Sequence, residues 1–408
     1  MKTVVLITTG QPSVNPRVVK EADALHTAGY KVIVLYCFWI RWASEADKKL
    51  LKNVSWSHQL VGGSPTKNKA LYYFTKARFK LNSAVNKKGH NNLLIAERSQ
   101  ARCYDELLQV AKSIKASLYV GHNLGALSVA AKAAEHNKAA SGFDFEDYHR
   151  EENDAERNAL KKRIVYLEEK YLPDCNYIST SSPLITARVK HNFPTFRGPV
   201  FSLLNCFPLS HISKKEIEYK TDETLQLFWF SQTVGRNRGL EAVVAALAQL
   251  NNPAIHLTLA GRVDEGFARF IDEAAGKIKE RIHLPGIIQP NDLPAFAARF
   301  DVGLATEKAT PLNRNICLTN KIFTYLLAGD CILASDTDAQ KEFLYSYKQV
   351  GLLYKNEDIK DLAQKIDFLF KDRSFLNNCK ESSFALALKE LNWENESKKL
   401  LRQVSSLF

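Results

Sequence analysis

Arg236 and Arg238 stand two residues apart in the run Phe230-Ser-Gln-Thr-Val-Gly-Arg-Asn-Arg-Gly-Leu-Glu241. A guanidinium is planar and permanently charged, and its fork of N–H groups matches the paired oxygens of a phosphate. A solvated loop ahead of a helix would carry the same residues. Asn320-Lys321 opens an apolar helical stretch. A lysine at a helix amino terminus opposes the helix dipole, and that local cost suggests a use, an anion held by aligned amides and an ammonium together. His122 falls in Gly121-His-Asn at the end of a strand, and Glu146, Asp147 and His149 follow another strand. In an open parallel sheet, residues at the carboxyl ends of strands face the ligand crevice. Either carboxylate could act on a hydroxyl, or the acidic run could cap the helix beyond it. Gly10, after the first strand, would let a ligand approach the backbone.

Absent motifs narrow the chemistry. There is no G-x-x-x-x-G-K-[ST], no G-x-G-x-x-G after the first strand, no H-E-x-x-H and no G-x-S-x-G. Walker-type phosphate transfer, dinucleotide redox chemistry, zincin-type proteolysis and serine-hydrolase chemistry are therefore not expected. The seven cysteines are scattered without a C-x-x-C pair, so no zinc site or disulfide framework is expected, only buried thiols in a reducing compartment.

Elements that would position these residues alternate along the chain. Lys2 to Thr8 is an apolar, β-branched strand. Asn15-Pro16 starts a helix, Gly29 stops it, and Lys31 to Tyr36 is the next strand. Further strands are expected at 116–120, 139–143, 176–180 and 200–204, with helices at 124–136 and over the charged stretch 151–171. After a plausible linker at 206–223, strands are expected at 225–230, 255–259, 281–284, 302–305 and 331–334. Helices fall at 240–250, 265–278, 291–298 and 320–327. Such alternation means an α/β chain of two doubly wound, Rossmann-like parallel-sheet domains, 1–206 and 220–385, facing across a cleft. The amphipathic tail 386–408 is expected to return to the first domain.

The chain has 408 residues, 45% apolar and 25% charged, and a formal charge of +12. Nothing at the amino terminus reads as a signal peptide, and the longest apolar run, Val32 to Ile40, is too short to span a bilayer, so a cytoplasmic protein is expected. Charge concentrates at residues 67–88, where Lys67, Lys69, Lys76, Arg78, Lys80, Lys87 and Lys88 are interleaved with Tyr72, Tyr73, Phe74 and Phe79 without an acid. The segment suits the anionic face of a membrane or nucleic acid, and a solvated helix face would read the same way.

Five segments then appear in a familiar order: Gly10-Gln-Pro-Ser-Val-Asn-Pro-Arg-Val, Gly121-His-Asn-Leu-Gly-Ala-Leu, Gly142-Phe-Asp-Phe-Glu-Asp-Tyr-His149, the Arg236/Arg238 run, and Leu318-Thr-Asn-Lys-Ile-Phe-Thr-Tyr-Leu-Leu-Ala-Gly-Asp330. From about residue 3 to 345 the chain resembles retaining glycosyltransferases of family 4, which have the B-type glycosyltransferase fold. The resemblance implies transfer of a sugar from a nucleotide diphosphate donor to a hydroxyl acceptor, a glycan or lipid-linked molecule, with retention and without a metal or other cofactor. The first domain would take the acceptor and the second the nucleotide sugar. Arg238, Lys321 and Asn320 would meet the donor pyrophosphate, with Arg236 in place of an arginine usually found near Gln232. Ile288, in Gly286-Ile-Ile, would lie in the loop that reads the base. Glu307 would hold sugar hydroxyls, and Thr324 would stand where relatives carry a ribose-binding glutamate. His122 would lie beside the sugar, and Asp147 would position the acceptor, since the departing phosphate can take its proton. A nucleotide-sugar 2-epimerase on the same fold is the first alternative. A non-catalytic module for anionic surfaces or nucleic acid is the second, although no nucleic-acid partner is expected.

Overall fold

Asn15 and Pro16 start the first helix as their chemistry requires. The Asn15 side chain accepts from the Val18 amide at 3.2 Å, Pro16 fills the first turn, and the helix Pro16–Thr27 stops ahead of Gly29, at φ +88°. The structure, a computed structural model, describes residues 1–87, 92–152, 158–212, 223–274, 276–290 and 292–408.

Around that helix a seven-stranded sheet is built from β1 (Thr3–Thr8), β2 (Lys31–Cys37), β3 (Ser57–Val61), β4 (Leu118–His122), β5 (Ala140–Phe145), β6 (Tyr177–Thr180) and β7 (Val200–Ser202). Their order is β3-β2-β1-β4-β5-β6-β7, and every pairing is parallel. A second sheet contains β8 (Leu225–Val234), β9 (Ile255–Val263), β10 (Ile282–Gly286), β11 (Val302–Ala305), β12 (Cys331–Ser335) and β13 (Gly351–Tyr354), ordered β10-β9-β8-β11-β12-β13. Each connection within a sheet carries a helix. Both sheets start at the middle, wind outward, then return, so each has a switch point, between β1 and β4 in the first and between β8 and β11 in the second. Ligands of open α/β sheets bind beyond the strand ends at such points.

Burial explains the strand sequences. Val4, Val5, Leu6 and Ile7 of β1 are all 0% exposed, as expected of a central parallel strand covered on both faces. The expected α/β, doubly wound architecture is what forms. Edge strands β3 and β13 escaped the sequence reading. Three of the five residues of β3, Ser57, His58 and Gln59, are exposed polar residues, and an edge position needs no apolar alternation. The strand expected at 116–120 instead runs Leu118–His122, and the helix expected from 151 is described as Asn158–Tyr171 after a turn at His149–Glu151. Residues 153–157, most of the linker at 213–222, Asn291 and Lys88 lie outside the described residues.

The chain divides into two compact units, residues 1–204 with 397–408, and residues 205–396. The first packs Val5, Ile7, Leu35, Tyr104, Leu107, Tyr119, Val129 and Ala133 into its core. The second packs Leu227, Trp229, Val243, Leu247, Leu257, Leu304 and Leu333. Within the first unit Phe408 lies under the Lys2 ammonium, 3.9 Å from its ring centroid. Among the described residues no helix is long and apolar enough to cross a membrane.

Candidate functional site

In the second unit the switch point gathers charge. The loop after β8 carries Arg236, Arg238 and Gly239. Gly239 has φ +75°, and a Cβ there would stand 2.5 Å from the Thr306 carbonyl oxygen, so only glycine lets this loop lie against the end of β11. Thr306 Oγ1 then donates to the Arg238 carbonyl at 2.7 Å. Immediately beyond, Glu307 is pinned by its own carbonyl, which accepts from Ser335 Oγ at 2.6 Å and Asn356 Nδ2 at 2.9 Å.

The helix Asn320–Ala328 faces the same point. Tyr325 locks it across both central strands, its hydroxyl donating to Leu304 O at 3.0 Å and Phe228 O at 3.3 Å. Gly303 lies beneath that ring, where a Cβ would sit 2.1 Å from Tyr325 Cγ. No side chain of the N-cap Thr319 bonds the first-turn amides, which leaves the positive end of the helix dipole open to an anion.

Lys321 and Glu307, separate in sequence, meet here. Lys321 Nζ donates to Glu307 Oε1 at 2.6 Å and lies over the Trp229 ring at 5.2 Å; both residues are nearly buried. Burial alone would raise the Glu307 carboxyl, but Lys321 first, then Arg238 and Arg314, hold it below the usual glutamate value. Three cations therefore act on one carboxylate, a local surplus of two positive charges. Arg314 belongs to the short helix Leu312–Ile316 and donates through Nη1 to Asn237 O at 3.0 Å. Sequence reading missed it; the only signal was a basic residue in a turn following Pro311. The expected substitute, Arg236, is exposed and lies over the Phe270 ring at 5.1 Å. Its guanidinium packs on an aromatic face rather than joining the cluster.

Other donor-side expectations are placed as follows. Asn320 is exposed, with Oδ1 accepting from Asn205 Nδ2 at 2.6 Å. Ile288 is half-buried beyond edge strand β10. Thr324 departs from expectation: it is 0% exposed and its hydroxyl donates to the Asn320 carbonyl of its own helix at 3.2 Å, so it presents no group to a ribose.

The first unit's switch point holds a different assembly. His122 pairs in register with Thr8, as the last residue of β4, and is 0% exposed. It is enclosed, not open to a ligand, because its strand runs two residues further than expected. Its Nε2 lies 3.3 Å from Glu21 Oε2, and its Nδ1 lies 3.6 Å from Asp144 Oδ2 and 3.8 Å from Glu146 Oε1. Burial would lower the imidazole pKa, but Glu21, then Asp144 and Glu146, outweigh it and raise it well above its ordinary value. Asp144 and Glu146 reach the ring together because residues two apart on an extended chain share a face.

Arg17 completes the cluster. Its Nε and Nη2 grip Asp144 at 2.7 and 2.6 Å, and its Nη1 donates to Leu203 O at 2.7 Å. Glu21, one helical turn on, comes from the same face. Glu21, His122 and Asp144 each place a possible ligand atom within 4.8 Å of the others. Arg17 already claims both Asp144 oxygens, and the two ring nitrogens face different carboxylates, so the set fits a proton on the imidazole better than a metal ion.

Asp147 lies past β5, half-buried, and acts electrostatically on His149. His149 is itself buried, 3.5 Å from Glu152 Oε2. Gly10 has both backbone groups engaged: its N–H donates to Thr8 Oγ1 at 3.2 Å and its carbonyl accepts from the Cys37 amide at 3.1 Å.

Two parallel doubly wound sheets, the second with cations and an uncapped helix end at its switch point, make up the fold of the B-type glycosyltransferases. Residues 225–372, which hold all of that cluster, match the family described as Glycosyl transferases group 1. The second unit therefore carries a domain of this family. No curated protein matches it in sequence. Among solved structures it is similar to Anabaena HepE in complex with UDP (TM-score 0.70, 15% identity, 100% of both chains covered). It is similar as well to sucrose-phosphate synthase from Thermosynechococcus elongatus (0.70, 15%, 100% of this chain and 99% of that one). A third likeness is to S. aureus TarM in a complex that includes UDP (0.68, 11%, 99% of both).

Proposed function

We propose that the chain transfers a sugar from a nucleotide diphosphate sugar to a hydroxyl acceptor with retention, using no metal or other cofactor. The observation that carries this reading is the gathering of Arg238, Arg314 and Lys321 on Glu307 at the open end of the helix Asn320–Ala328. As the bond between the anomeric carbon and the phosphate oxygen breaks, negative charge grows on the departing diphosphate. Fixed cations and helix amides stabilise that charge without reorganising. The acceptor oxygen bonds to the anomeric carbon on the face the phosphate leaves, and its proton passes to the departing phosphate oxygen.

On this reading the second unit takes the donor and the first unit the acceptor. Glu307 orients Lys321 and bears on the sugar hydroxyls. The first donor to test is a UDP-sugar, because HepE and TarM, which share the fold, bind UDP. Seven scattered cysteines without a C-x-x-C pair support a reducing, cytoplasmic compartment, and the basic stretch at 67–88 supports work against an anionic membrane face. The test is a thermal-shift series of nucleoside diphosphates, followed by release of nucleoside diphosphate from their sugars with and without hydroxyl acceptors. Stabilisation by a nucleoside diphosphate and acceptor-dependent release are expected. Epimerisation of the sugar without acceptor would overturn transfer.

A further inference from the structure

The helix Lys69–Lys87 exposes large apolar residues on its outer side. A surface helix ordinarily turns apolar residues inward and polar ones to water. Here the most buried positions are polar, with Thr75 0% and Asn86 8% exposed, and Arg78 reaches in to Asp105 at 2.9 Å and Glu106 at 2.5 Å, while Leu71, Tyr72, Phe79 and Val85 are half-buried. The outward positions are apolar: Tyr73 is 59%, Phe74 60% and Leu81 66% exposed, joined by exposed Ala70, Ala77 and Ala84. Residues 70, 74, 77, 81 and 84 repeat every three or four positions, so they form one stripe along the helix. Exposed Lys67, Lys69, Lys76 and Lys80 accompany it, and no Asp or Glu occurs from 67 to 87. Beside the first turn, the Phe38 ring meets Tyr72 edge-on at 5.5 Å, and the next residue, Trp39, is 66% exposed.

We infer that this stripe enters an anionic phospholipid surface, with Tyr73, Phe74 and Leu81 buried between headgroups and acyl chains while the lysines engage lipid phosphates. The inference rests on the proposed attachment of residues 67–88 to a membrane face and adds what holds it there. An apolar stripe with a basic border is the composition of an interfacial helix, and a nearby tryptophan suits the headgroup layer. Charge selects the occupant. A second copy of this chain would present the same lysines and repel, whereas anionic lipid is complementary and offers hydrocarbon to Phe74 and Leu81. Arg78, spent on Asp105 and Glu106, holds the helix to its own unit and takes no part in lipid contact.

The test is co-sedimentation of the full chain with phosphatidylcholine vesicles, pure or containing about a third phosphatidylglycerol, at about 0.1 M and about 0.5 M salt. A Phe74→Ser/Leu81→Ser variant is compared with a Lys69→Glu/Lys76→Glu/Lys80→Glu variant, each first shown to keep the parent melting temperature. The parent should bind the anionic vesicles and keep a salt-resistant fraction. The apolar variant should lose at least about tenfold in affinity at low salt, the smallest effect expected from two buried apolar side chains, and all binding at high salt. Parent-like binding by the apolar variant, with loss confined to the lysine variant, would overturn insertion and leave plain electrostatic attachment standing. No binding by the parent would overturn both. A parent dimer in light scattering that the apolar variant dissolves would assign the stripe to self-association instead, and binding to RNA competed by salt but not by vesicles would assign it to nucleic acid.

Discussion

Replacing Lys321 with methionine keeps a side chain of similar length and removes the ammonium, which donates to Glu307 at 2.6 Å and lies over the Trp229 ring. Glu307 is 9% exposed, so its carboxylate cannot simply turn to water. Removing one partner of a buried pair costs about 3–5 kcal/mol. Arg238 and Arg314 still act on this carboxylate, which puts the expectation at the lower end, about 3 kcal/mol. At about 2–4 °C per kcal/mol for a unit of this size, the melting temperature should fall by about 6–12 °C. The sign with pH follows from the pair. Glu307 is held below its ordinary value, so the parent gains stability above the unfolded glutamate pKa and loses it as pH falls through the folded one. In the variant that acid-side loss should shrink, because burial then opposes the attraction of the two remaining arginines. A second substitution, Glu307→Gln, separates structure from function. The double variant should regain most of the melting temperature, since no unpaired carboxylate remains. If Lys321 contacts the diphosphate, the double variant still fails to be stabilised by UDP at concentrations that raise the parent by about 2.7 kcal/mol, roughly a hundredfold over the dissociation constant. Differential scanning fluorimetry with and without UDP reads both quantities. A single variant that melts within about 2 °C of the parent, equivalent to less than about 1 kcal/mol, would refute the pairing. A double variant with the parent's full UDP shift would refute the phosphate role.

Arg314→Ala should weaken nucleoside diphosphate binding by about tenfold or more, the scale of a lost charge-assisted hydrogen bond. Arg236→Ala should change it less than about twofold; calorimetric titration of the two variants compares them directly, and the reverse order would contradict the cluster. His122 should stay protonated through neutral pH, because Glu21, Asp144 and Glu146 face its two nitrogens. With the folded pKa raised, its contribution to stability is fully present below about 6.5 and fades as pH rises through the folded value. Denaturant melts from pH 6 to 10 of the parent and His122→Gln should therefore converge at the alkaline end, and an NMR midpoint for His122 at or below 6.5 would rule the arrangement out. Asp144→Asn should cost about 3 kcal/mol in urea unfolding, because it removes the carboxylate that the buried Arg17 guanidinium grips at 2.7 and 2.6 Å and leaves only the more distant Glu21 and Glu146.

Much of the protein was legible one residue at a time. Asn15-Pro16 and Gly29 start and stop a helix through local chemistry alone, and the apolar runs at 3–8, 225–230 and 331–334 declare strands along the chain. The alternation of those strands with helices was enough to determine two doubly wound sheets, and the ordered motifs were enough to suggest the class. Local pattern says nothing about which polar side chains meet. Lys321 and Glu307 were read separately, one for phosphate and one for sugar, and only the approach of the helix Asn320–Ala328 to the end of β11 made them a pair. Arg314, not Arg236, joins them because folding turns Arg236 onto Phe270, a contact no spacing rule encodes. His122 stood in a motif, yet its neighbours Glu21, Asp144 and Arg17 come from two other elements and were invisible until the sheet assembled. Residues 67–88 showed their charge in the sequence, but not that Arg78 faces inward and Phe74 and Leu81 outward. Propensity and capping are short-range and can be read along the chain. Pairing of charges and exposure of faces are set by residues distant in sequence, so the tertiary structure alone decided them.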